Sequence, residues 1–432
     1  MKLRSKYDRE ILLLALPALG ALASEPLYVL VDTAIVGNLG TTQLAALAIA
    51  ATVLSTAFTI FNFLTYGTTA QVARLHGAGR DDEAARLGSQ ALWLGLGIGL
   101  FLLVALELCA PAVVGLMGGK GEVADGAVLY LRISALGAPL FILATASQGF
   151  LRGMGNLRTP LVILAAAHSV NIGLTFLFVY GFGWGLAGSA WGTVIAQVGM
   201  AGGFFYVQWR AGLERPHPHK MRPLMRIGSE IAVRTTALTG SFLVASAVLA
   251  RIGAASLGAH QIAFQLWVFL AFVLDAIAIA GQVMIGRMLG AADAVSARAA
   301  GLRMIGWSML IGAAFGVVLL ALGDVIPGLF TDDPEVLAKA GEIWPLFALM
   351  MPFNGAVFAL DGILIGAGDT RFLMWGMLAA ALVYVPIVLL SLDRGWGVKG
   401  VWWGLVALIG VRLATCAARF AGSRWALTGA PA

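Results

Sequence analysis

The sequence carries little charge and almost no cysteine. Asp, Glu, Lys and Arg make up only 12% of its 432 residues, whereas soluble globular domains carry about 25%. The two cysteines, Cys109 and Cys416, stand in different apolar segments, which argues against a disulfide framework and against a cysteine metal site. Hydrophobic residues make up 60% of the chain, and no polar stretch is long enough for a soluble domain. These features predict an all-α polytopic membrane protein.

Motifs of known enzyme classes are also missing. The predicted spans contain no HExxH, no GxSxG and no paired histidines, so we expect no enzymatic activity, metal or cofactor. The net charge of +6 comes from short loops beside the spans, which argues against a nucleic-acid partner. Two Gly-rich loops, 153–156 and 366–369, superficially resemble phosphate cradles. Since no strand precedes either loop, we predict tight turns between helices.

Apolar runs divided by Gly, Pro and charge predict twelve transmembrane helices. Their predicted limits are 10–36, 44–74, 86–109, 123–151, 159–181, 186–210, 223–250, 257–287, 295–322, 335–365, 370–391 and 398–421. Most of the 28 Lys and Arg residues fall in loops on one side. The positive-inside rule puts both chain termini in the cytoplasm, which agrees with an even number of spans.

The two halves of the sequence repeat with an offset of 213 residues. Pro139 corresponds to Pro352, and the Gly and Arg positions of 149–158 recur in 362–371. The repeat predicts two pseudo-symmetric six-helix bundles: an N-terminal lobe 1–211, a cytoplasmic linker 212–222 and a C-terminal lobe 223–432. Such a duplication favours transport by alternating access, and the Gly-rich helix faces favour close packing.

The first predicted span carries two acids and two prolines. Glu25 and Asp32 are two helical turns apart and lie on one helix face. A charge at membrane depth costs ~2.5–3.5 kcal/mol on the insertion scale, so such an acid usually faces a cavity and binds a proton or Na⁺. Pro17 and Pro26 each remove a backbone donor and predict bends. We therefore interpret Asp32 and Glu25 as candidates for coupling transport to a cation.

The second half lacks these two acids, because Asp32 corresponds to Ala245 and Glu25 to Leu238. It has intramembrane acids of its own, and these are second-lobe candidates: Glu230, Asp275 and Asp361. Polar residues in the fifth and sixth spans are further candidates for the cation site: Asn171, Thr175 and Thr193. A structural role is the alternative for Asp361 and for Asn171.

Five residues are candidates for lining a substrate cleft that binds flat apolar cations: Tyr28, Phe141, Gln148, Trp191 and Met350.

The sequence EPLYVLVDTAIVGNLG over 25–40, with DGILIGAGDTR over 361–371, resembles the multidrug and toxic compound extrusion (MATE) family. The resemblance covers essentially the whole chain and is strongest to the DNA-damage-inducible F branch. It implies two six-helix lobes around a central cavity. It also implies an antiporter that exports organic cations or other amphipathic compounds against inward H⁺ or Na⁺.

The resemblance also implies roles for particular residues. Asp32 takes the place of the usual coupling aspartate, Pro17 that of the bending proline, and Tyr28 that of an aromatic residue near the acid. Asn171 and Thr193 match polar residues of the first-lobe cation site. Thr175 stands where some relatives have a second acid, which favours H⁺ over Na⁺. We expect a monomer in a bacterial inner membrane, with a plastid origin as the alternative.

A flippase for a lipid-linked saccharide is the alternative function. Its cleft should be rich in Arg and Lys, which would bind the pyrophosphate. In this sequence nearly all basic residues fall in predicted cytoplasmic loops, with Arg234 as the main exception. The antiporter is therefore favoured.

Overall fold

The computed structural model describes residues 5–429, which are mainly helical and contain no β-strand. The first half contains α1 (Lys6–Gly37), α2 (Thr41–Phe61), α3 (Phe63–Gly77), α4 (Asp81–Leu116), α5 (Gly121–Ala135), α6 (Ala138–Gly153), α7 (Arg158–Phe176) and α8 (Gly185–Ala211). The second half contains α9 (Pro218–Ile252), α10 (Ala254–Gly290), α11 (Ala294–Ala321), α12 (Pro334–Gly366), α13 (Thr370–Asp393) and α14 (Gly397–Ala421). A π-helical turn, Leu177–Gly181, continues α7.

The predicted number of spans is confirmed. Among residues 5–429, eleven segments are long and apolar enough to cross a membrane, and the pair α5–α6, bent by 50°, makes a twelfth. α2 and α3 form one of these spans, which is interrupted at Asn62. The predicted cytoplasmic location of the chain ends stays a prediction, since the helices alone do not show which side of the membrane each end faces.

The chain folds into two compact units. The N-terminal unit is Gly20–Gly228, and the C-terminal unit is Ser229–Ala432 together with Met1–Leu19, as far as these residues are described. The boundaries therefore fall inside α1 and α9, whereas the sequence places one boundary in the linker 212–222. Side chains of α4 and α11 explain the difference.

The predicted linker is bound to the N-terminal unit through α4. Gln90 donates its side-chain amide to the carbonyl oxygen of Arg215 at 2.9 Å and accepts from the backbone amide of His217 at 2.8 Å. Trp93 Nε1 donates to the carbonyl oxygen of Glu214 at 2.8 Å. Because these bonds satisfy the linker backbone, residues 214–217 extend the unit rather than form a free connection.

The first turns of α1 are bound in the same way within the C-terminal unit. Arg303 Nε donates to Asp8 Oδ1 at 2.6 Å, and Trp307 Nε1 donates to the same oxygen at 2.9 Å. Gln90 and Arg303 are equivalent residues at the offset of 213. Gln90, in the third span of the first half, thus binds the segment that leads into α9, the first span of the second half. Arg303, at the equivalent position of the second half, binds the start of α1, the first span of the first half.

Close helix contacts confirm the predicted repeat. A Cβ atom on Gly153 would lie 2.9 Å from the carbonyl oxygen of Thr69, and one on Gly366 would lie 2.6 Å from that of Gln282. Gly153 corresponds to Gly366 at the offset of 213, and Thr69 corresponds to Gln282. Glycine therefore lets α6 pack against the backbone of α3, and α12 against that of α10.

The predicted turns between helices are also confirmed. Gly155 and Gly368 both have φ +76°, a left-handed backbone conformation that favours glycine. Each follows a helix that ends two residues earlier. By contrast, α1 continues as one helix through Pro17 and Pro26, so their role in bending stays a prediction.

Candidate functional site

The N-terminal unit contains a cavity of about 430 Å³. Both α1 and α6 line it over several turns. On α6 the lining residues follow helical spacing, so they form one continuous stripe: Phe141, Thr145, Gln148 and Arg152. On α1 the lining includes Glu25, Tyr28 and Asp32. The predicted acidic face of the first span therefore lines a cavity.

Asp32 is buried in the cavity wall, with 6% of its surface exposed. Ser189 on α8 donates its hydroxyl to Asp32 Oδ1 at 2.8 Å. Among residues 5–429, Asp32 forms no ion pair. A buried carboxylate that neutral groups alone stabilise is a site for a positively charged ligand or a proton.

Three of the predicted polar residues form one hydrogen-bonded network beside Asp32. Asn171 Nδ2 donates to Thr193 Oγ1 at 3.0 Å, and Thr175 Oγ1 donates to Asn171 Oδ1 at 3.3 Å. Thr193 Oγ1 also donates to the carbonyl oxygen of Ser189 at 3.1 Å. α7 and α8 thus hold a line of neutral polar groups that ends at the carboxylate. Thr175 is fully buried within this network and does not line the cavity.

Two aromatic pairs also belong to the cavity wall. Tyr28 stacks on His168, with ring centroids 4.6 Å apart and planes 10° apart. Phe58 stacks on Phe141 at 4.5 Å and 22°. All four residues line the cavity, which provides flat surfaces of the kind that aromatic or cationic ligands bind.

Two predicted cleft residues lie elsewhere. Trp191 is exposed on the outer surface of α8 and does not contribute to the cavity wall. Met350 is buried in the apolar core of the C-terminal unit, with 4% of its surface exposed. Aromatic and methionine residues are common in membrane spans, so their identity alone did not indicate which face of the helix they occupy.

Two of the predicted second-lobe acids, Asp361 and Glu230, form hydrogen bonds with other side chains. Asp361 is buried between Arg234 and Arg412, both of which donate to its Oδ2, and the Arg412 bond is 2.5 Å long. Glu230 accepts a hydrogen bond of 2.5 Å from the buried hydroxyl of Thr370. Asp275 is partly buried on α10.

Two arginines that the sequence assigns to cytoplasmic segments lie within helices. Arg152 is in α6 and Arg412 is in α14, and both are buried, with 6% and 5% of their surfaces exposed. Arg152 lines the cavity of the N-terminal unit, and Arg412 pairs with Asp361 in the C-terminal unit. Each lies on the inward face of its helix, which counts of Lys and Arg in loops do not detect.

Sequence reasoning missed two polar residues of the site. Ser189 stands in a stretch of small residues that reads as plain helix packing, and Tyr130 stands in α5, which carried no candidate. Tyr130 lines the cavity with only 6% of its surface exposed. A polar hydroxyl in an apolar segment was the available signal in both cases.

The fold and the cavity define a polytopic membrane protein made of two repeated helical units. The family model MatE matches residues 17–177 and 231–390, one block in each half. The chain therefore belongs to the MatE family, which consists of membrane transporters rather than enzymes. It is an integral membrane protein.

Relatives from plants and bacteria match nearly the whole chain. Protein DETOXIFICATION 45, chloroplastic, of Arabidopsis thaliana is 29% identical over 94% of this chain and 77% of its own. The probable multidrug resistance protein NorM of Xanthomonas axonopodis pv. citri (strain 306) is 31% identical over 91% of this chain and 89% of its own. DNA damage-inducible protein F of Escherichia coli (strain K12) is 27% identical over 95% and 92%.

A solved structure described as MATE in the bent conformation has the same fold. It superimposes with a TM-score of 0.87 over 97% of this chain and 95% of that chain, at 20% identity. The predicted resemblance and fold class are thus confirmed.

Proposed function

We propose that this protein is an antiporter that exports organic cations or other amphipathic compounds in exchange for H⁺, which binds at Asp32. The family supplies the transporter class, and the names of several relatives, such as probable multidrug resistance protein NorM, support drug-like substrates. The observation that carries the proposal is the position of Asp32, a buried carboxylate on the wall of an open cavity, bonded to Ser189.

The surroundings of Asp32 favour H⁺ over Na⁺. A sodium site needs several oxygen atoms that converge with free lone pairs, preferably with more than one negative charge. Around Asp32 the oxygens of Asn171 and Thr193 are neutral and each already accepts one hydrogen bond, from Thr175 and from Asn171, so Asp32 supplies the one negative charge of this group. A proton needs only the single carboxylate.

The contacts of Asp361 favour Asp32 as the coupling residue. Two guanidinium groups donate to the same oxygen of the Asp361 carboxylate, and Asp361 does not line the cavity of the N-terminal unit. Asp32 lines that cavity and has no charged partner among residues 5–429. We therefore assign Asp361 a structural role, which was the alternative in the sequence prediction.

The flippase alternative receives less support from the cavity. Its wall contains Arg152 as its one Arg or Lys, together with the carboxylates of Glu25 and Asp32. A pyrophosphate carries several negative charges, so the two acids would repel it. The cavity favours positively charged or neutral amphipathic ligands.

We further propose a bacterial inner membrane as the location and a monomer as the working state.

Transport by Asp32→Asn in proteoliposomes tests the proposal. Wild-type protein should accumulate the organic cation tetraphenylphosphonium when a proton gradient is imposed, and a sodium gradient alone should have no effect. Asp32→Asn should reduce proton-driven transport at least tenfold, because an amide cannot bind and release the proton.

Asp125→Asn provides the matched control, since Asp125 is exposed on α5 and does not line the cavity. It should transport like wild type. Size-exclusion chromatography and thermal unfolding should show that both variants fold. Proton-driven transport that persists in Asp32→Asn would remove Asp32 from the mechanism, and sodium-driven transport by wild type would contradict the choice of ion.

A further inference from the structure

Two acids of α1 line the same cavity but have different surroundings. Asp32 is buried and accepts the Ser189 hydroxyl, whereas Glu25 is exposed at the cavity wall. Within residues 5–429, the Glu25 carboxylate forms no hydrogen bond or ion pair. A carboxylate without a protein partner at an open surface is available to a ligand that enters the cavity.

The geometry of α1 separates the two acids. Their positions are seven residues apart in the sequence, which corresponds to about 10 Å along the helix axis. Tyr28 stands between them on the same face and stacks on His168. A small cation bound by one acid therefore does not contact the other, and the Tyr28–His168 pair provides a flat surface between the two positions.

We propose that Glu25 binds the cationic group of the substrate while Asp32 holds the coupling proton, so that both ligands occupy the cavity at once. This inference rests on the proposed function, since it assigns a second ligand position in the same site. Two carboxylates neutralise two positive charges, so neither ligand has to displace the other by direct competition. The alternative is one shared position, in which substrate and proton compete for Asp32.

The cavity wall also indicates the chemical class of the substrate. The Glu25 carboxylate selects for a single positive charge. The stacked pairs Tyr28–His168 and Phe58–Phe141 bind aromatic rings through dispersion and, for a charged ring system, through cation–π attraction. The substrate is therefore an amphipathic monocation with an aromatic body.

Binding measurements with a charged and an uncharged probe test this assignment. Tetraphenylphosphonium is a permanent aromatic cation, and triphenylphosphine oxide is a neutral molecule with a similar aromatic body. Affinities for purified protein in detergent, without any gradient, are measured by calorimetry. Glu25→Gln should weaken tetraphenylphosphonium binding at least tenfold and triphenylphosphine oxide binding less than twofold.

Glu122→Gln is the matched control, because Glu122 is exposed on α5 outside the cavity. It should leave both affinities unchanged. Equal losses for the two probes in Glu25→Gln would show that shape rather than charge is affected and would overturn the assignment. Unchanged binding of tetraphenylphosphonium would also overturn it.

Asp32→Asn separates this inference from the proposed function. It should bind tetraphenylphosphonium within about threefold of wild type while losing proton-driven transport. If Asp32→Asn loses binding and Glu25→Gln does not, the shared-position alternative holds and the proposed function stands. If Asp32→Asn still couples transport to protons, the proposed function fails, whatever Glu25 binds.

A chemical variant keeps the test valid if Glu25→Gln does not fold. Glu25→Cys is made in a Cys109→Ala background, because Cys109 is exposed and Cys416 is buried. Modification with a negatively charged sulfonatoethyl thiosulfonate reagent should restore tetraphenylphosphonium binding. A trimethylammonium reagent should not restore it. Equal effects of the two reagents would contradict a charge-based role.

Discussion

The two units use equivalent positions for different purposes. In the N-terminal unit, three neutral residues from α1, α6 and α8 line the cavity: Ala21, Gln148 and Met200. The equivalent residues of the C-terminal unit form the buried ion cluster: Arg234, Asp361 and Arg412. The offset is 213 for the first two pairs and 212 for the third, because Gly183-Trp184-Gly185 recurs as Gly395-Trp396-Gly397.

The polar network shows the same contrast. Three of its residues hydrogen-bond beside Asp32: Asn171, Thr175 and Thr193. Their equivalents are fully buried in the core of the C-terminal unit: Tyr384, Val388 and Leu405. Helix packing is therefore common to both copies, as the paired glycine contacts show, whereas the cavity chemistry belongs to one copy. After the duplication, one half carries the candidate site and the other holds a filled core.

The largest effect should come from breaking the ion cluster of the C-terminal unit. Asp361→Gln leaves two buried guanidinium groups without their shared carboxylate, so the free energy of unfolding should fall by about 3–5 kcal/mol. A triple variant, Arg234→Ala with Asp361→Gln and Arg412→Met, carries the three residues of the N-terminal unit. It should be more stable than Asp361→Gln alone, as measured by unfolding in detergent. A triple variant less stable than the single one would show that the cluster cannot be replaced by its neutral equivalent.

A smaller effect, similar in both units, should come from the shared glycines. Gly153→Ala and Gly366→Ala each place a methyl group within 3 Å of a backbone oxygen, which should cost about 1–3 kcal/mol of unfolding free energy. Gly97→Ala is the control, since a Cβ at Gly97 meets nothing within 4 Å. Thermal unfolding in detergent measures all three. A large effect at only one of the paired glycines would mean that the two copies do not pack alike.

Removing the hydrogen bonds between Gln90 and the linker should have a still smaller effect, confined to the linker. Gln90→Ala removes two hydrogen bonds to residues 215 and 217, worth about 0.5–1.5 kcal/mol each. Hydrogen exchange at the His217 amide, which donates to Gln90, should therefore accelerate about tenfold. Trp93→Phe, which removes one bond, should accelerate it less. Exchange in wild type as fast as in Gln90→Ala would show that the linker is not held.

The smallest effect should be a pH dependence of the same linker. Lys220 Nζ donates to Glu214 at 2.8 Å, and this hydrogen bond lowers the pKa of the Glu214 carboxyl below its ordinary value. A lowered pKa in the folded state means that the contribution to stability is present above the unfolded pKa and is lost as the pH falls through the folded value.

The protection of linker amides in wild type should therefore exceed that in Glu214→Gln near neutral pH. The difference should vanish when the pH falls below the carboxyl's lowered pKa. Hydrogen exchange, corrected for the intrinsic pH dependence of amide rates, measures it. A difference that persists in acid would assign the effect to something other than ionisation.

Hydrophobic periodicity, the repeat and its glycines were sufficient to predict the twelve spans, the turns at Gly155 and Gly368, and the duplicated packing. These features are local, because each depends on a residue's own span or on a backbone contact that only glycine allows. The acidic face of α1 was predictable for the same reason, since helical spacing alone puts Glu25 and Asp32 on one side.

The tertiary structure decided which side chains meet. Asp361 and Asp32 are both intramembrane acids in the sequence, yet one lies between two arginines and the other beside Ser189. Arg234, Arg412 and Ser189 each lie more than 50 residues in the sequence from the acid that they contact. No local spacing of residues specifies such contacts. The sequence alone thus established a duplicated membrane transporter with an acidic first span. Only the packing of α1 against α7 and α8 showed which acid is held in a neutral network and which is open to a ligand.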